Sequence, residues 1–472
     1  MHESVVATLS DGPKTSTSPS YGLQKNALSP METLAQSIST IAPSTTPTLT
    51  VPLIFGLCGA GACLAYGIAL VAIVLVAMCI ASFARESASP GSLYSYARSS
   101  LPPVFTAITA WALFFAYVMT AASVLGGFLN YAYVLLGGYG ARVPPVALVV
   151  LAAGGAMWLA YRDIKVSARL MLWIEAVSVF LISVVIGITL WKHGLHLDMT
   201  QVRLRGISMQ QVRMGVMLAI FSFVGFESAT TLGVEAREPL KTIPRAVIRS
   251  ALLAGLFFLI CVYGEVLGFG GSPTSLGDSA APFHYLSSQA GVGAAGWMID
   301  CGVLVSMFAA TLACVIAASR VLLLMAHHGL ASRRLGATHA RNETPAVASV
   351  LAALLAFLPV AVLVQPHRGH PGVSGADIYG WMGVLAVFGF LTAYMLAAIA
   401  LAMHLKRERR LTAGGLLLSI VAALAMIAAL LGNLFPVPEA PYRYFPYIYA
   451  AYLGAALVWY WISGRRQQMA TA

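Results

Sequence analysis

Apolar segments long enough to cross a lipid bilayer occupy most of this chain. A spanning helix needs roughly 20 predominantly apolar residues. Hydrophobic residues make up 59% of the sequence and charged residues only 10%, whereas soluble domains carry about 25% charged residues. Because a helix satisfies its own backbone hydrogen bonds in lipid, the sequence predicts an all-α integral membrane protein. We predict twelve transmembrane helices, over residues 34–57, 62–84, 102–135, 145–161, 168–191, 210–235, 246–270, 292–326, 345–364, 376–403, 412–432 and 444–463.

The basic residues predict how the chain is oriented. When the predicted helices alternate in direction, most of the 28 Lys and Arg residues fall on the side that carries both termini. Such an excess of positive charge is typical of the cytoplasmic side. We therefore expect a multi-pass protein of the plasma (inner) membrane with both termini in the cytoplasm. The net charge of +11 follows from this bias and does not indicate nucleic-acid binding, which would need a basic soluble module.

The first predicted helix contains residues that interrupt a regular helix. Pro43 and Pro47 lack backbone donors and clash with carbonyl groups one turn earlier. Between them, Ser44, Thr45 and Thr46 supply hydroxyl groups. A helix that restarts here directs its N-terminal N–H groups and positive dipole end at the gap, where a carboxylate fits. The alternative is a proline kink that neighbouring helices stabilise.

The sixth predicted helix contains a second interruption. Gly225 permits an unwound backbone because it has no Cβ. Phe221, Phe223 and Phe226 flank it and can cover a ligand, and Glu227 follows directly. A pair of interrupted segments, one in each half of a membrane chain, is the best sequence indication of a transporter's substrate site.

Acidic side chains within the apolar segments are the candidates for coupling to an ion. A carboxylate at mid-membrane is costly and commonly marks an ion or proton pathway. Glu227 is the first candidate and Glu175, in the fifth predicted helix, is the second. For Glu227, an architectural role is the alternative, in which the carboxylate accepts hydrogen bonds from unwound backbone and locks the helix pair. Glu265 and Asp300 lie nearer the ends of their segments, where a side chain can reach the interface.

Three further stretches of the chain form distinctive motifs. They are Phe221-Ser222-Phe223-Val224-Gly225-Phe226-Glu227-Ser228-Ala229 with Glu235-Ala236-Arg237-Glu238-Pro239 and Thr242-Ile243-Pro244-Arg245-Ala246; Ser82-Phe83-Ala84-Arg85-Glu86 with Pro90-Gly91-Ser92-Leu93-Tyr94-Ser95-Tyr96; and Ala318-Ser319-Arg320-Val321 with Met325-Ala326-His327-His328-Gly329 and Thr344-Pro345. These stretches resemble signatures of the amino acid–polyamine–organocation permeases. The most specific is the first, in and after the sixth predicted helix, and the resemblance covers roughly residues 34–410.

This resemblance implies a fold and a domain organisation. The implied fold is leucine-transporter-like, with a 5+5 inverted repeat of helices followed by two further helices. On that basis, we expect residues 1–33 to form a disordered cytoplasmic tail, because they are polar and rich in Ser and Thr. Residues 34–403 would form the transport core, and residues 404–472 would hold the last two helices and a short cytoplasmic C-terminus.

The resemblance also implies a substrate site. Ser44 and Thr45 match the turn that holds the substrate carboxylate. Ser222, Phe223 and Val224 match the turn near its amino group, and Phe221 matches an aromatic residue that closes over the ligand. The chain departs from the family in having Pro43-Ser44-Thr45 where Gly-Ser-Gly is usual, and this bulkier turn affects the size of substrate that fits. The predicted substrate-binding residues are Ala42, Pro43, Ser44, Thr45, Phe221, Ser222, Phe223 and Gly225.

The functional prediction is secondary active transport of an amino acid or related amine by alternating access, coupled to H⁺ or Na⁺. Some family members carry a lysine in the fifth helix that mimics a sodium ion. This chain has none there after Lys165, so the coupling ion stays open. The alternatives are an amino acid or amine exchanger without net ion coupling and, from another class, a membrane sensor that does not transport.

The remaining patterns indicate no enzyme, cofactor or metal centre. Spacings typical of catalytic or metal-binding clusters do not occur within the segments. His367, Arg368 and His370 share a polar connection at 365–375, where solvated side chains are the simpler interpretation. The expected partners are the substrate and the lipid bilayer, with no nucleic acid, and the sequence does not predict the oligomeric state. The mixed charges over 235–249 can form ion pairs between helix ends.

Overall fold

Helices dominate the computed structural model, which describes residues 21–137, 143–162, 165–194, 198–203, 207–339, 342–366, 371–435 and 437–471. The predicted tail over 1–20 and the connection over 367–370 lie outside these residues. The helices are α1 (Pro30–Ile41), α2 (Val51–Cys58), α3 (Ala62–Ala84), α4 (Leu93–Ser100), α5 (Pro103–Gly137), α6 (Pro145–Arg162), α7 (Lys165–Lys192), α8 (Met199–Arg203), α9 (Met209–Phe223), α10 (Pro239–Gly268), α11 (Pro282–Ala290), α12 (Gly293–His327), α13 (Ala346–Leu363), α14 (Gly375–Arg407), α15 (Ala413–Gly432) and α16 (Phe445–Thr471).

Ten intervals of the described chain are long and apolar enough to cross a membrane. The first, Pro30–Ala84, extends over 55 residues and contains α1, α2 and α3. A 3-10 turn at Gly59–Gly61 separates α2 from α3. Helix α6 adds a shorter apolar segment, Pro145–Tyr161. The chain is therefore an all-helical, multi-pass membrane protein, and the count of twelve crossings stays a prediction.

Helix α5 lies at the centre of the bundle. Its 35 residues correspond to about 52 Å of helix at 1.5 Å per residue, and it is buried along most of that length between α12 and α14. Small residues let these helices approach closely. A Cβ on Gly126 would lie 2.8 Å from the backbone nitrogen of Tyr379, and a Cβ on Gly389 would lie 2.5 Å from the carbonyl oxygen of Ala112.

Helices α15 and α16 are peripheral and carry large apolar side chains on the outside of the bundle. Leu417 in α15 and Trp461 in α16 are more than half exposed in the isolated chain. Trp173 in α7 is exposed in the same way. Exposed apolar patches of this kind mark a surface that contacts lipid or another apolar partner.

The N-terminal segment before α1 is packed against the rest of the protein. A capping box starts α1, because the Ser29 hydroxyl accepts from the Glu32 N–H and the Glu32 carboxylate accepts from the Ser29 N–H. The N–H of Leu28 donates to the carbonyl of Glu235 at 2.8 Å, and the N–H of Arg237 donates to the carbonyl of Leu28 at 2.9 Å. The tail predicted over 1–33 therefore extends too far along the chain, since Asn26 and Leu28 pair with the connection before α10 and α1 begins at Pro30.

Candidate substrate-binding site

The predicted interruption of the first transmembrane segment is present. Helix α1 ends at Ile41, and Ala42 follows in the left-handed conformation with φ 48°. The chain then passes through a turn at Pro43 and Ser44 and resumes as one wide π-helical turn over Thr46–Thr50, which leads into α2. Ser44 and Thr45 are buried at the point where the helix restarts.

The second interruption follows α9. Val224 is extended, with ψ 134°, and Gly225 has φ 100°, a conformation that residues with a Cβ rarely adopt. The chain continues into a 3-10 helix over Ser228–Leu232. A Cβ on Gly225 would lie 2.3 Å from Cγ2 of Thr40 in α1. The two interrupted segments therefore touch where Gly225 lies against α1.

Hydroxyl groups of α1 bind the opened backbone of the second interruption. The Ser37 hydroxyl donates to the carbonyl of Phe226 at 2.8 Å and accepts from the N–H of Ala229 at 3.1 Å. The Thr40 and Ser228 hydroxyls lie 2.9 Å apart. Unpaired backbone groups are very costly in the apolar interior of a membrane protein, so these contacts stabilise the interruption.

Two side-chain hydroxyls at the first interruption have no hydrogen-bond partner. They are Oγ of Ser44 and Oγ1 of Thr45, both buried. Buried polar atoms normally have partners, so an unpaired pair at one turn points to a group that binds there. The N–H of Ser44 donates to the Glu175 carboxylate of α7 at 2.7 Å. The Ser44 hydroxyl also lies near this carboxylate, but outside hydrogen-bond geometry. An acidic side chain thus already occupies one donor of this turn.

The predicted residues of the second interruption face different neighbours. Phe221 packs edge to face against Tyr379 of α14, with the ring centroids 5.6 Å apart. The Ser222 hydroxyl lies 2.9 Å from the Tyr66 hydroxyl of α3. The ring of Phe223 packs against Phe258 of α10, 5.4 Å away. Their substrate-binding roles stay predictions; the contacts place Phe221 beside α14 and the other two side chains beside α3 and α10.

Glu227 is fully buried and held by two tyrosines. The Tyr117 hydroxyl of α5 donates to Oε1 at 2.7 Å, and the Tyr394 hydroxyl of α14 donates to Oε2 at 2.6 Å. The sequence predicts Glu227 but neither tyrosine, because each is more than a hundred residues away in the chain. This carboxylate joins the second interruption to the two central helices, which agrees with the architectural alternative and leaves the coupling role untested.

One end of the bundle is formed by residues 21–29, the start of α10 and the end of α12. We call this end the N-terminal face, and a buried ion pair closes it. Arg320 of α12 makes a bidentate pair with Glu235, with both N–O distances 2.7 Å and both side chains buried. Within the run predicted to form ion pairs, Glu235 is thus the buried member. The Arg237 side chain instead donates to the backbone carbonyl of Asn26.

His328 extends this closure just beyond the end of α12. Its Nδ1 lies 2.7 Å from the Tyr94 hydroxyl, and its Nε2 lies 2.6 Å from a guanidinium nitrogen of Arg98. Burial, assisted by the charge of Arg98, lowers the pKa of His328 to about 4. The imidazole is therefore neutral near pH 7, so Nε2 can accept from Arg98 while Nδ1 carries the proton shared with Tyr94.

Gly225→Ala should disrupt the second interruption. The new Cβ would clash with Thr40, and the positive φ adds a strain of about 1–3 kcal/mol. We expect a large drop in melting temperature of the purified protein in detergent. Gly154→Ala in α6 is the matched control, because a Cβ there meets no atom within 4 Å. Equal melting temperatures for the two variants would contradict this account.

Tyr117→Phe and Tyr394→Phe should each destabilise the protein by about 1.5–3 kcal/mol, the usual value of a hydrogen bond to a charged group. Tyr452→Phe is the control, because its hydroxyl donates to the neutral carbonyl of Trp111 and should cost about 0.5–1.5 kcal/mol. Thermal or denaturant unfolding measures all three. If Tyr117→Phe and Tyr394→Phe lower the free energy of unfolding no more than Tyr452→Phe does, the stability of the protein does not depend on these donors to Glu227.

Arg320→Ala should destabilise the protein by about 3–5 kcal/mol, because it leaves the Glu235 carboxylate buried without a partner. The double variant Arg320→Met with Glu235→Leu removes both charges and should recover most of the loss. Melting temperatures of the two variants test the pair. If the double variant is no more stable than Arg320→Ala, the loss comes from packing and not from the unpaired charge.

Known proteins resemble this chain along most of its length. The sequence profile of the amino acid permease family matches residues 28–458. The branched-chain amino acid permease BcaP of Lactococcus lactis is 27% identical over 359 residues, which are 70% of this chain and 76% of that protein. BcaP of Bacillus subtilis is 22% identical over 312 residues, 62% of this chain and 65% of that protein, or just under two thirds of its length. The low-affinity putrescine importer PlaP of Escherichia coli K12 is 26% identical over 311 residues, 63% of this chain and 66% of that protein.

Proposed function

This chain belongs to the amino acid permease family, a family of transporters and not of enzymes, and we propose that it carries an amino acid or a related amine by secondary active transport. The observation that supports this most directly is the contact between the two interrupted segments, with the unpaired hydroxyls of Ser44 and Thr45 beside it. Interrupted membrane helices that face each other are the usual substrate sites of such transporters.

The proposed architecture is the leucine-transporter fold with twelve crossings. In it, α1 and α2 together make the first crossing and α6 makes a short one. Helices up to α14 form the inverted repeat, and α15 and α16 are the two added helices. The N-terminal face lies in the cytoplasm of the plasma (inner) membrane, because the positive-inside rule assigns the basic connections to that side.

The substrate carboxylate binds at the first interruption. The turn at Ser44 and Thr45 begins the helical segment that continues into α2, so the positive end of that segment's dipole lies at the turn. The two unpaired hydroxyls add donors at the same turn. The substrate ammonium binds near the carbonyl end of α9, where the helix dipole is negative. Phe221, packed against Tyr379, covers the bound molecule.

The hydroxyls at the first interruption and the substrates in the relatives' names bear on whether the substrate is an amino acid or an amine. A branched-chain amino acid offers both a carboxylate and an ammonium, and BcaP is named for that class. Putrescine, for which PlaP is named, offers only ammonium groups and would leave Ser44 and Thr45 unpaired. The unpaired hydroxyls therefore favour a substrate with a carboxylate.

Transport is coupled to H⁺ or Na⁺, and the two coupling candidates that the sequence predicts, Glu227 and Glu175, each contact one interruption. Glu175 contacts the Ser44 N–H directly, so a change in its charge would alter the turn that binds the substrate. Glu227 links the second interruption to α5 and α14. For transport to occur, the buried pair of Glu235 and Arg320 has to separate when the cytoplasmic side opens.

A thermal-shift screen of the purified protein against the common amino acids and polyamines tests the proposal. A ligand at a hundred times its dissociation constant should add about 2.7 kcal/mol of stability. Ser44→Ala should weaken the response to that ligand. Ser419→Ala is the matched control, because this serine in α15 also has a buried hydroxyl without a partner but lies in a peripheral helix.

Counterflow in proteoliposomes then separates the modes of transport. Exchange that depends on no ion gradient would favour the exchanger over the coupled permease. Binding without any transport would favour a sensor. If no member of the panel stabilises the protein, or if Ser44→Ala and Ser419→Ala respond alike, the proposed substrate site is wrong.

A further inference from the structure

Six acidic residues of the described chain are buried, and their partners separate them into two groups. Four have donors: Glu227 accepts from two tyrosines, Glu235 pairs with Arg320, Glu175 accepts from the Ser44 N–H, and Glu32 accepts from the Ser29 N–H. By contrast, both carboxylate oxygens of Glu265 in α10 lack any hydrogen-bond partner, although the residue is 0% exposed. Asp300 in α12 is equally buried and also lacks conventional hydrogen bonds.

Glu265 interacts electrostatically with one residue that contacts each interruption. The Tyr131 hydroxyl donates to the carbonyl of Thr48 at 2.9 Å, and the Tyr66 hydroxyl contacts Ser222. Both tyrosines are close enough to Glu265 to interact with it electrostatically. A change of charge at Glu265 would therefore alter the electrostatic potential at both interruptions.

A pair of titratable groups, His284 and Asp300, shares the neighbour Tyr131 with Glu265. At the end of the bundle opposite the N-terminal face, His284 in α11 is one-third exposed. Its Nδ1 lies 2.5 Å from Oδ2 of the buried Asp300, in an orientation outside hydrogen-bond geometry. Asp300 and Glu265 both interact electrostatically with Tyr131. These groups come from four helices, α5, α10, α11 and α12.

The groups that face Glu265 do not compensate a negative charge. They are Tyr66 from α3, Tyr131 from α5 and Cys261 one turn earlier in α10, all interacting with it electrostatically. Ile186 of α7 packs against the adjacent Gly264. No Lys or Arg of the described chain forms an ion pair with Glu265. An ionised carboxylate without donors is strongly disfavoured in such surroundings, so this carboxyl needs a cation or a proton.

A proton suits this position better than a metal ion. A metal ion would need several oxygen ligands in place of its water shell, and the described residues contain no group of three or more His, Cys, Asp or Glu side chains that could hold one. A proton needs only one carboxyl oxygen. We propose that Glu265 is a proton-binding site, loaded from the opposite face through His284 and Asp300, and that it supplies the coupling proton.

This inference rests on the proposed transport function, so its test separates coupling from transport. Purified protein in proteoliposomes is assayed with radiolabelled leucine in two ways: uptake driven by an inward proton gradient, and counterflow at equal pH on both sides. Glu265→Gln should lower gradient-driven uptake at least tenfold and leave counterflow within about twofold of the unmodified protein. Glu439→Gln, an exposed glutamate, is the control and should change neither measurement.

The outcomes are distinct. Gradient-driven uptake that persists in Glu265→Gln overturns the inference, as does wild-type uptake that follows a sodium gradient and ignores pH. Loss of counterflow together with uptake in folded Glu265→Gln also overturns it, because the carboxyl would then bind substrate. If the wild type shows no counterflow of leucine or of any ligand from the thermal screen, the proposed transport function itself fails.

A second measurement uses the unaltered protein and does not depend on a folded variant. Dicyclohexylcarbodiimide reacts with protonated carboxyls in apolar surroundings. Peptide mass spectrometry should find the adduct on Glu265, with labelling that falls as pH rises, and little on Glu227, whose oxygens accept from two tyrosines. His284→Gln, tested in the proteoliposome assays, should slow gradient-driven uptake and leave counterflow near the value of the unmodified protein. Absence of the adduct, or labelling that is independent of pH, would contradict a proton site there.

Discussion

The need to satisfy backbone groups in an apolar interior explains the arrangement of the candidate site. Two membrane segments stop being helical where they meet, and each opening leaves N–H and C=O groups that water cannot reach. The contact of Gly225 with Thr40 brings the openings together, and the Ser37 hydroxyl binds groups on both sides of Phe226. Because α1 supplies these bonds, neither segment can move far without breaking those of the other.

The buried acids show how similar residues acquire different roles from their partners. Glu227 and Glu235 have a donor at each carboxylate oxygen and hold helices together. Glu175 has one backbone donor, at the turn that we propose for the substrate carboxylate. Glu265 has none, and that difference is the basis for assigning the proton to it. An acid in a membrane segment is thus only a candidate until its donors are known.

Much of the architecture could be predicted from the sequence. Most predicted apolar segments lie within a few residues of the observed helices, since apolar length and composition dominate helix placement in lipid. The exceptions are the start of α10 at Pro239 and the end of α16 at Thr471, where the helix continues into polar residues that a search for apolar length leaves out. The two interruptions were predicted from Pro43, Pro47 and Gly225, because these residues act locally on the backbone. The short helices α4, α8 and α11 were not predicted, since they lack the apolar length of a spanning segment. The start of α1 was placed too late because the capping box at Ser29 extends the helix into polar residues.

The sequence by itself determined the class of the protein, the positions of most membrane segments and the two places where the helix must break. All of these depend on properties of neighbouring residues. The tertiary structure alone decided which side chains meet at the breaks. Tyr117 and Tyr394 bind Glu227, Glu175 reaches Ser44, and Glu265 is left without a partner. These contacts join residues far apart in the chain, so they depend on how the helices pack, and local patterns of composition and spacing do not specify that packing.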